Sequence, residues 1–374
     1  MFNFNSVYKF YYEWWKNIDK TLFLLIIFLL SLGLFFSLVS TSLIASDKLD
    51  TNNYFFFFKH LVYIAIGMIV LIFFSSLSKK SLFKISYYLF LIFLVCLFLV
   101  PVLGTEVKGS KRWLNLFFLP RFQPIELVKP FIIIFISTIL CSEKNLNIYF
   151  KYLLTFIAIV PVCLLLMMQP DIGQTLLIFL AWATLVFISG ISLPIILFFF
   201  SFLLLSLVYM VFFISKFNYI KYRILSFFNP SGGTHNFQSD KAIDAISSGG
   251  YFGKGIGEGT LKNRVPEAHT DYIVSVISEE FGVVMIILML FLFLFLIYTV
   301  FKKIYIEKNE KIKLILAGSI TLIILQALIH FGVNIRLFPT TGMTLPFLSY
   351  GGSSIVGVSI LSGIILNLTK RKVS

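Results

Sequence analysis

The stretch PEAHTDYIVSVISEEFGVVMIILMLFLFLFLIYTVF, residues 266–301, decides how this chain folds. It begins with a polar hexapeptide and continues to Phe301 as a run that is almost wholly apolar. About 20 such residues are enough for a helix to cross a bilayer, so the segment predicts a membrane span. Placing titratable groups at the edge of a span costs free energy unless water solvates them or protein or substrate groups pair with them. Glu267, His269 and Asp271 are therefore candidates for a functional site.

The composition places most of the chain in lipid. Of its 374 residues, 59% are hydrophobic and only 13% are charged, and a soluble domain of this size could not bury so much apolar surface. The sequence predicts an all-α polytopic membrane protein, a single domain over residues 1–374 with about ten transmembrane helices. The predicted spans are residues 21–45, 55–77, 82–103, 124–141, 151–168, 172–190, 192–214, 270–301, 312–335 and 343–368.

The basic residues predict the orientation of these spans. An even number of spans puts both termini on one side, and Lys and Arg concentrate in the short loops of the cytoplasmic side. With the termini inside, residues 1–20 form a cytoplasmic lead-in, residues 369–374 a cytoplasmic tail, and residues 215–269 one large extracytoplasmic loop. The net charge of +14 then reflects membrane topology, and no nucleic acid is expected as a partner.

Arginine is distributed unevenly over this topology. Five of the six arginines fall on the outer side: Arg112, Arg121, Arg223, Arg264 and Arg336. Topology needs only positive charge, which Lys supplies, whereas Arg offers a planar fork that fits phosphate or carboxylate. The bias indicates an outer surface that grips an anionic group such as a lipid-linked pyrophosphate. Chance placement of six residues is the second explanation.

Two outer segments carry polar residues next to a span. Lys108–Trp113 leads to Arg121–Pro130, in which Glu126 and Lys129 are three residues apart and share a helix face. The two form either a structural ion pair or the polar wall of a substrate cavity. In the second case Arg121 and Lys129 are anion contacts.

Three further segments predict unusual backbone or caps. Asp171, in the turn before the span at 172–190, either caps the next helix or lines a cavity. In the long outer loop, Gly alternates from 253 to 259, which suits close approach to a ligand or simple flexibility. Ahead of it, residues 238–247 predict a short amphipathic helix. Phe338–Ser354 predicts a broken or re-entrant entry to the last span, which is tolerated only inside protein or along a cavity.

Asp271 is the strongest candidate for chemistry. A carboxylate at a membrane edge is partly desolvated, which raises its pKa and makes it a better general base. His269 is near enough to hydrogen-bond or tune it. Position alone leaves a second interpretation, in which Asp271 is the N-cap of the helix that follows.

Five motifs, in this order on ten predicted spans, resemble the SEDS family (shape, elongation, division and sporulation). They are Lys111–Trp113, Gln123–Lys129, Gln169–Gly173, Pro266–Asp271 and Leu345–Ser353. The last two are highly specific together, and the resemblance covers nearly the whole chain. Thr341–Pro346 and the glycine-rich Gly249–Gly259 resemble the division branch more than the elongation branch.

The resemblance implies an activity, a location and partners. Members are polytopic glycosyltransferases that polymerise lipid II into peptidoglycan, in the division branch during septal cell-wall synthesis. The implied partners are a class B penicillin-binding protein, which is a transpeptidase, and other divisome membrane proteins. Such a protein lies in the bacterial cytoplasmic (inner) membrane at the division septum, in contact with membrane lipids.

The resemblance also implies site residues. Asp271 is the catalytic carboxylate that takes a proton from the 4-hydroxyl of the acceptor sugar. The leaving undecaprenyl pyrophosphate needs positive charge, supplied by Lys111, Arg112, Arg121, Lys129 and Arg264. A divalent cation, Mg or Mn, is a candidate cofactor, and no other is expected. The predicted substrate-binding residues are Lys111, Arg112, Trp113, Arg121, Gln123, Glu126, Lys129, Gln169, Asp171, Arg264, Glu267, His269, Ser349 and Tyr350.

Three other functions stay open at this stage. They are an elongation polymerase, a lipid II flippase or transporter that uses the same polar cavity, and a scaffold that only recruits a transpeptidase. Polymerisation of labelled lipid II separates an enzyme from the other two classes. The depletion phenotype, filaments or round cells, separates division from elongation.

Overall fold

The computed structural model describes residues 12–40, 54–107, 110–115, 120–142, 146–228 and 237–370. Helices make up most of this part of the chain. They are α1 Lys20–Ser40, α2 Phe55–Ser76, α3 Lys79–Leu103, α4 Pro124–Leu140, α5 Ile148–Met168, α6 Ile172–Ile188, α7 Leu193–Phe213, α8 Asn218–Phe228, α9 Phe237–Gly249, α10 Ile273–Ile306, α11 Glu310–Asn334 and α12 Gly352–Leu368.

The predicted all-α polytopic membrane fold is confirmed. Each predicted span overlaps one helix, α1 to α7 or α10 to α12. Residues 41–45 of the first span lie outside the described residues. Among the described residues, seven helices are long and apolar enough to cross a membrane. Helices α4, α6 and α12 have only 17 residues each, so the count of ten crossings stays a prediction. Most of the predicted lead-in and tail, residues 1–11 and 371–374, lies outside the described residues.

The last helix, α12, lies inside the bundle. Its residues are almost all buried, and it packs against α2, α4 and α11. Small residues permit this close packing: a Cβ on Gly357 would lie 2.5 Å from the backbone oxygen of Glu126 in α4. The preceding segment, residues 339–351, is irregular rather than helical. The predicted broken entry is therefore confirmed, and the helix begins at Gly352 rather than near residue 343.

Helix α10 is interrupted, which its apolar sequence did not indicate. Gly282 has φ 74° and ψ −175°, a conformation that glycine adopts without the steric cost of a Cβ. The predicted continuous span at 270–301 is therefore two helical pieces. Glu279 and Glu280, just before the interruption, are buried in protein.

The glycine-rich loop docks into this interruption. Three of its residues have positive φ values of 80°, 110° and 85°: Gly253, Gly255 and Gly257. The Gly257 N–H donates to the Glu280 carboxylate, and the Leu261 N–H donates to the Glu279 carboxylate at 2.8 Å. The alternate glycines thus shape a loop that docks on protein, and its approach to a ligand stays a prediction. Helix α9 confirms the short helix predicted over residues 238–247.

A short antiparallel hairpin follows α3. Its strands are β1 Thr105–Val107 and β2 Ser110–Trp113, and a further bridge pairs Leu114 with Phe122 before α4 begins. The sequence did not predict these strands. They bring the Lys111–Trp113 motif back to the N-terminal end of α4, where Pro124 occupies the first turn.

Candidate functional site

A polar cavity of about 320 Å³ lies where the hairpin, the N-terminal ends of α4 and α10, and residues 339–351 meet. Eight predicted site residues line it: Arg112, Trp113, Arg121, Gln123, Glu126, Glu267, Asp271 and Tyr350. All of these except Arg121 come from four of the five sequence motifs. The bundle therefore brings motifs that are far apart in the chain to one site.

The other predicted residues do not line this cavity. Lys111 and Arg264 are exposed elsewhere. Four others are buried behind the lining: Lys129, Gln169, Asp171 and Ser349. His269 packs against the rings of Phe56 and Tyr350, with centroid separations of 4.4 and 5.8 Å. The side chains of these seven residues are exposed elsewhere or covered by neighbours. A substrate in the polar cavity would therefore not meet the contacts predicted for them.

Asp271 stands on a tight turn before α10. Glu267 has φ 56°, and its carbonyl accepts hydrogen bonds from the N–H groups of Thr270, Asp271 and Tyr272 at 3.1, 3.1 and 3.3 Å. Tyr272, rather than Asp271, occupies the N-cap position of α10. The side chain of Asp271 therefore faces the cavity from a residue just outside the helix, one position before the observed N-cap.

The Arg112 guanidinium is held by the turn between α5 and α6. Its Nε donates to the Gln169 carbonyl at 3.3 Å, one Nη donates to the Pro170 carbonyl, and the other lies 3.5 Å from the Asp171 carboxylate. Asp171 also accepts from the Gln174 N–H at 3.3 Å. The bond to Gln174 confirms the predicted helix cap. The Gln169–Gly173 motif does not line the polar cavity, but it holds the Arg112 guanidinium that does.

Burial governs the charge of Asp171. Desolvation raises the pKa of this carboxyl above its ordinary value, and the Arg112 charge and the Gln174 N–H offset the rise only in part. Loss of Arg112 would remove the main group that favours the ionised form. The position of Arg112 and the charge of Asp171 thus depend on each other.

Arg112 and Asp271 approach the same point in the cavity. A Cβ on Gly342 would lie 3.6 Å from Asp271 Oδ2 and 3.8 Å from an Nη of Arg112. Gly342 has φ 73°, a conformation that side chains rarely adopt. The absence of a side chain at residue 342 leaves open the space between a carboxylate and a guanidinium, where a reacting group would fit.

Glu126 and Lys129 form the predicted ion pair at the base of the cavity, with 2.7 Å between Nζ and Oε2. Gln174 Nε2 donates to Glu126 at 2.7 Å, and Lys129 donates to Gln326 Oε1 at 2.8 Å. Of the ion pair, Glu126 lines the cavity and Lys129 does not, and Gln174 lines it as well. Lys129 is 3% exposed, so the structure places it in the supporting network rather than in contact with a ligand.

Arg223 is a cavity residue that the predicted site omitted. It lies on α8, lines the polar cavity, and donates from Nη1 to the Thr340 carbonyl at 3.0 Å. The outer arginine bias included Arg223, but no motif surrounds it in sequence. Only the fold of the outer loop, which lays α8 across residues 339–341, brings it beside Arg112.

A second cavity, of about 240 Å³, adjoins the first. Its lining is mostly apolar and comes from α6, α8, α11 and the segment after α11: Ile172, Leu176, Leu180, Ile220, Ile224, Ile329 and Phe338. The two cavities share Arg112, Arg223 and Thr341. An anionic group at these arginines would have an apolar surface on one side and a polar chamber on the other.

Known proteins are similar to this chain in sequence. Residues 20–373 match the FtsW/RodA/SpoVE family, described as cell cycle proteins. A Caulobacter vibrioides protein named probable peptidoglycan glycosyltransferase FtsW is 32% identical over 368 residues, covering 96% of this chain and 91% of the relative.

Two solved structures are also similar. One belongs to work on the structural coordination of polymerization and crosslinking by a peptidoglycan synthase complex. It has a TM-score of 0.75 and 26% identity, covering 94% of this chain and 97% of that chain. The other is the Thermus thermophilus rod shape determining protein RodA. It has a TM-score of 0.69 and 25% identity, covering 94% of this chain and 96% of that chain.

Proposed function

This chain belongs to the FtsW/RodA/SpoVE family of cell cycle proteins, and we propose that it is a peptidoglycan glycosyltransferase that polymerises lipid II during septal cell-wall synthesis. The observation that carries the proposal is the junction of the polar and apolar cavities at Arg112 and Arg223. A lipid-linked sugar pyrophosphate has an apolar chain, an anionic centre and a polar head. The two cavities and the arginines between them match these three parts in order.

The division role rests on the relatives and on sequence. The Caulobacter vibrioides relative carries the FtsW name, and Thr341–Pro346 with the glycine-rich loop resembles the division branch. The elongation branch is the alternative within the same chemistry, since RodA shares the fold. Depletion of the protein in cells distinguishes them, with filaments expected for division and round cells for elongation.

In the proposed reaction, the 4-hydroxyl of an acceptor sugar attacks the anomeric carbon of the donor. A C–O bond to the acceptor forms and the C–O bond to the pyrophosphate breaks, and the leaving undecaprenyl pyrophosphate keeps the bonding electron pair. Asp271 takes the hydroxyl proton. A positioned general base accelerates a reaction by about 10²–10⁴-fold, so the base alone does not account for catalysis.

Positive charge at the leaving group supplies a further part of the rate acceleration. Arg112, Arg121 and Arg223 line the polar cavity, and Arg112 and Arg223 also reach the apolar one. Preorganised donors aimed at developing charge contribute about 10²–10³-fold each. Because the Asp171 turn holds Arg112 in place before a substrate arrives, little reorganisation is needed when charge develops on the pyrophosphate.

A divalent cation is compatible with this arrangement. Mg²⁺ is usually held by one or two carboxylates plus substrate phosphates rather than by a protein cage. Three carboxylates line the cavity, those of Glu126, Glu267 and Asp271. Glu267 and Asp271, which stand on one turn, are the residues that would contact such an ion. When bound, the cation would neutralise charge on the pyrophosphate.

The proposed setting is the cytoplasmic membrane at the division septum, with both termini in the cytoplasm. The proposed partners are a class B penicillin-binding protein and other divisome membrane proteins. A structural neighbour described as a peptidoglycan synthase complex that coordinates polymerization and crosslinking supports a transpeptidase partner.

Polymerisation of labelled lipid II tests the function directly. The purified chain, reconstituted in vesicles with its class B partner, is expected to produce glycan polymer from lipid II, and EDTA is expected to lower the rate if a divalent cation takes part. Transfer of lipid II across the vesicle membrane without polymer would instead indicate a flippase. Polymer that depends only on an added polymerase would indicate a scaffold.

Substitution of Gly342 by Ala is expected to lower the polymerisation rate about tenfold, because a misplacement of about 1 Å in an active site is costly. The added methyl would enter the space between Asp271 and Arg112. The matched control is Gly190→Ala, since Gly190 also has positive φ, 96°, but has open space around its Cβ position. Equal rates for the two variants would contradict the assignment of this space to the substrate.

A further inference from the structure

Three consecutive carbonyls in the turn that carries Asp271 are held from outside the turn. The His269 carbonyl accepts from the Tyr350 N–H at 3.0 Å, and the Thr270 carbonyl accepts from the Ser349 hydroxyl at 2.7 Å. The Asp271 carbonyl accepts from Asn334 Nδ2 at 3.1 Å. Two separate elements therefore grip this backbone, the irregular segment before α12 and the end of α11.

Asn334 also completes the start of α10. It is fully buried, and its Oδ1 accepts from the Ser275 N–H at 3.3 Å. Ser275 is the third residue of α10, whose N–H normally bonds to a capping side chain, and Tyr272 at the cap position makes no such bond. An asparagine from α11 thus performs the capping and, with its other amide atom, holds Asp271.

Ser349 connects the same turn to the segment before α12. It is 1% exposed, and its hydroxyl accepts from the Leu345 N–H at 2.9 Å while it donates to the Thr270 carbonyl. The sequence motif predicts Ser349 as a substrate contact, but its hydroxyl is already engaged on both sides. Its position suits a role behind the site.

We infer that Asn334 and Ser349 are positioning residues that fix the Asp271 carboxylate relative to the cavity. The inference rests on the proposed function, in which Asp271 is the general base. A base must lie within about 2.6–3.2 Å of the proton it takes, and Asn334 and Ser349 donate to two of the three carbonyls by which its turn is held from outside. Neither side chain touches the substrate in this scheme.

Asn334→Asp tests the inference with the least change in shape. It keeps the acceptor for the Ser275 N–H and replaces the amide donor by an oxygen that faces the carbonyls of Asp271 and His330. The turnover number for lipid II polymerisation is expected to fall about 10²-fold, with little change in KM because substrate contacts remain.

The matched control is Asn367→Asp. Asn367 is also a buried asparagine whose amide donates to backbone carbonyls, those of Phe74, Ser75 and Leu77 at 2.9, 3.2 and 2.7 Å. It lies near the far end of α12, remote from the cavity. Per folded molecule, measured by size exclusion and thermal melting, this control is expected to keep the wild-type rate. Equal losses in both variants would overturn the inference.

Ser349→Ala decides the matter if Asn334→Asp does not fold. It removes one hydroxyl without adding bulk, and Ser359→Ala, a buried serine of α12, is its control. A lower turnover number in the first variant alone supports the inference, and equal rates overturn it. If Asp271→Asn polymerises normally, the proposed base is wrong. If Asp271→Asn is inactive while both positioning variants are fully active, only the positioning role is wrong.

Discussion

Asp271→Asn is expected to lower the lipid II polymerisation rate by about 10²–10⁴-fold, the contribution typical of a positioned general base. Asparagine keeps the size of the side chain and removes its capacity to accept a proton. The turn that carries residue 271 is held through backbone atoms, by Glu267 within the turn and by Asn334 outside it. The substitution therefore leaves the fold of the site in place.

Substrate binding is expected to survive this substitution. The arginines that face the cavity, Arg112, Arg121 and Arg223, carry the proposed contacts to the pyrophosphate. KM should change little while the turnover number falls, because a proton-accepting group acts mainly in the transition state.

The control for Asp271→Asn is Asp244→Asn. Asp244 lies on α9 in the same outer loop, pairs with Lys241 at 3.0 Å, and has a half-exposed side chain. This control makes the same chemical change at a carboxylate that does not line the cavity, and it is expected to polymerise lipid II at the wild-type rate. If Asp271→Asn were as active as this control, another group would have to take the proton.

The features predicted well from sequence are those that local chemistry dictates. Apolar length locates membrane helices, since the bilayer requires each segment to satisfy its own backbone hydrogen bonds. The spacing of Glu126 and Lys129 on a helix predicts their contact, and the position of Asp171 before an apolar run predicts its cap. The last two inferences need only neighbours within one helical turn.

The features missed depend on distant partners. Gly282 is one glycine in an apolar run, and its positive φ follows from the docked loop whose N–H groups reach Glu279 and Glu280. Arg223 enters the cavity only because α8 lies against residues 339–341, where Arg223 Nη1 donates to the Thr340 carbonyl. Ser349 belongs to a motif that is recognisable from sequence, yet its hydroxyl serves a residue 79 positions away. A contact over that distance along the chain follows only from the packed bundle.

Lys129→Met is expected to destabilise the protein by about 3–5 kcal/mol, the cost of leaving a buried charge without its partner. Glu126 and Lys129 are both nearly inaccessible, and the Glu126 carboxylate would keep only the Gln174 amide at 2.7 Å. Gln326 Oε1 would lose its donor as well. The measurement is thermal or denaturant unfolding of the detergent-solubilised protein.

The chain contains a matched surface pair for this test. Glu310 and Lys313 in α11 have the same spacing and order and a separation of 2.9 Å, but their side chains are 72% and 31% exposed. Lys313→Met is expected to cost no more than about 1 kcal/mol, because water screens such a pair. Equal costs for Lys129→Met and Lys313→Met would show that the inner pair is not isolated from water.

The double variant Glu126→Gln and Lys129→Met separates the charge from the shape of this network. Two neutral side chains of similar size remove the uncompensated carboxylate, so most of the lost stability is expected to return. The amide introduced at position 126 would still offer an oxygen to the Gln174 amide, whereas the cavity would lose the negative charge that Glu126 presents at its base. Recovery of stability without recovery of polymerisation would therefore assign the pair to the site itself. Recovery of both stability and polymerisation would show that the Glu126–Lys129 pair serves only to pack α4 against α6 and α11.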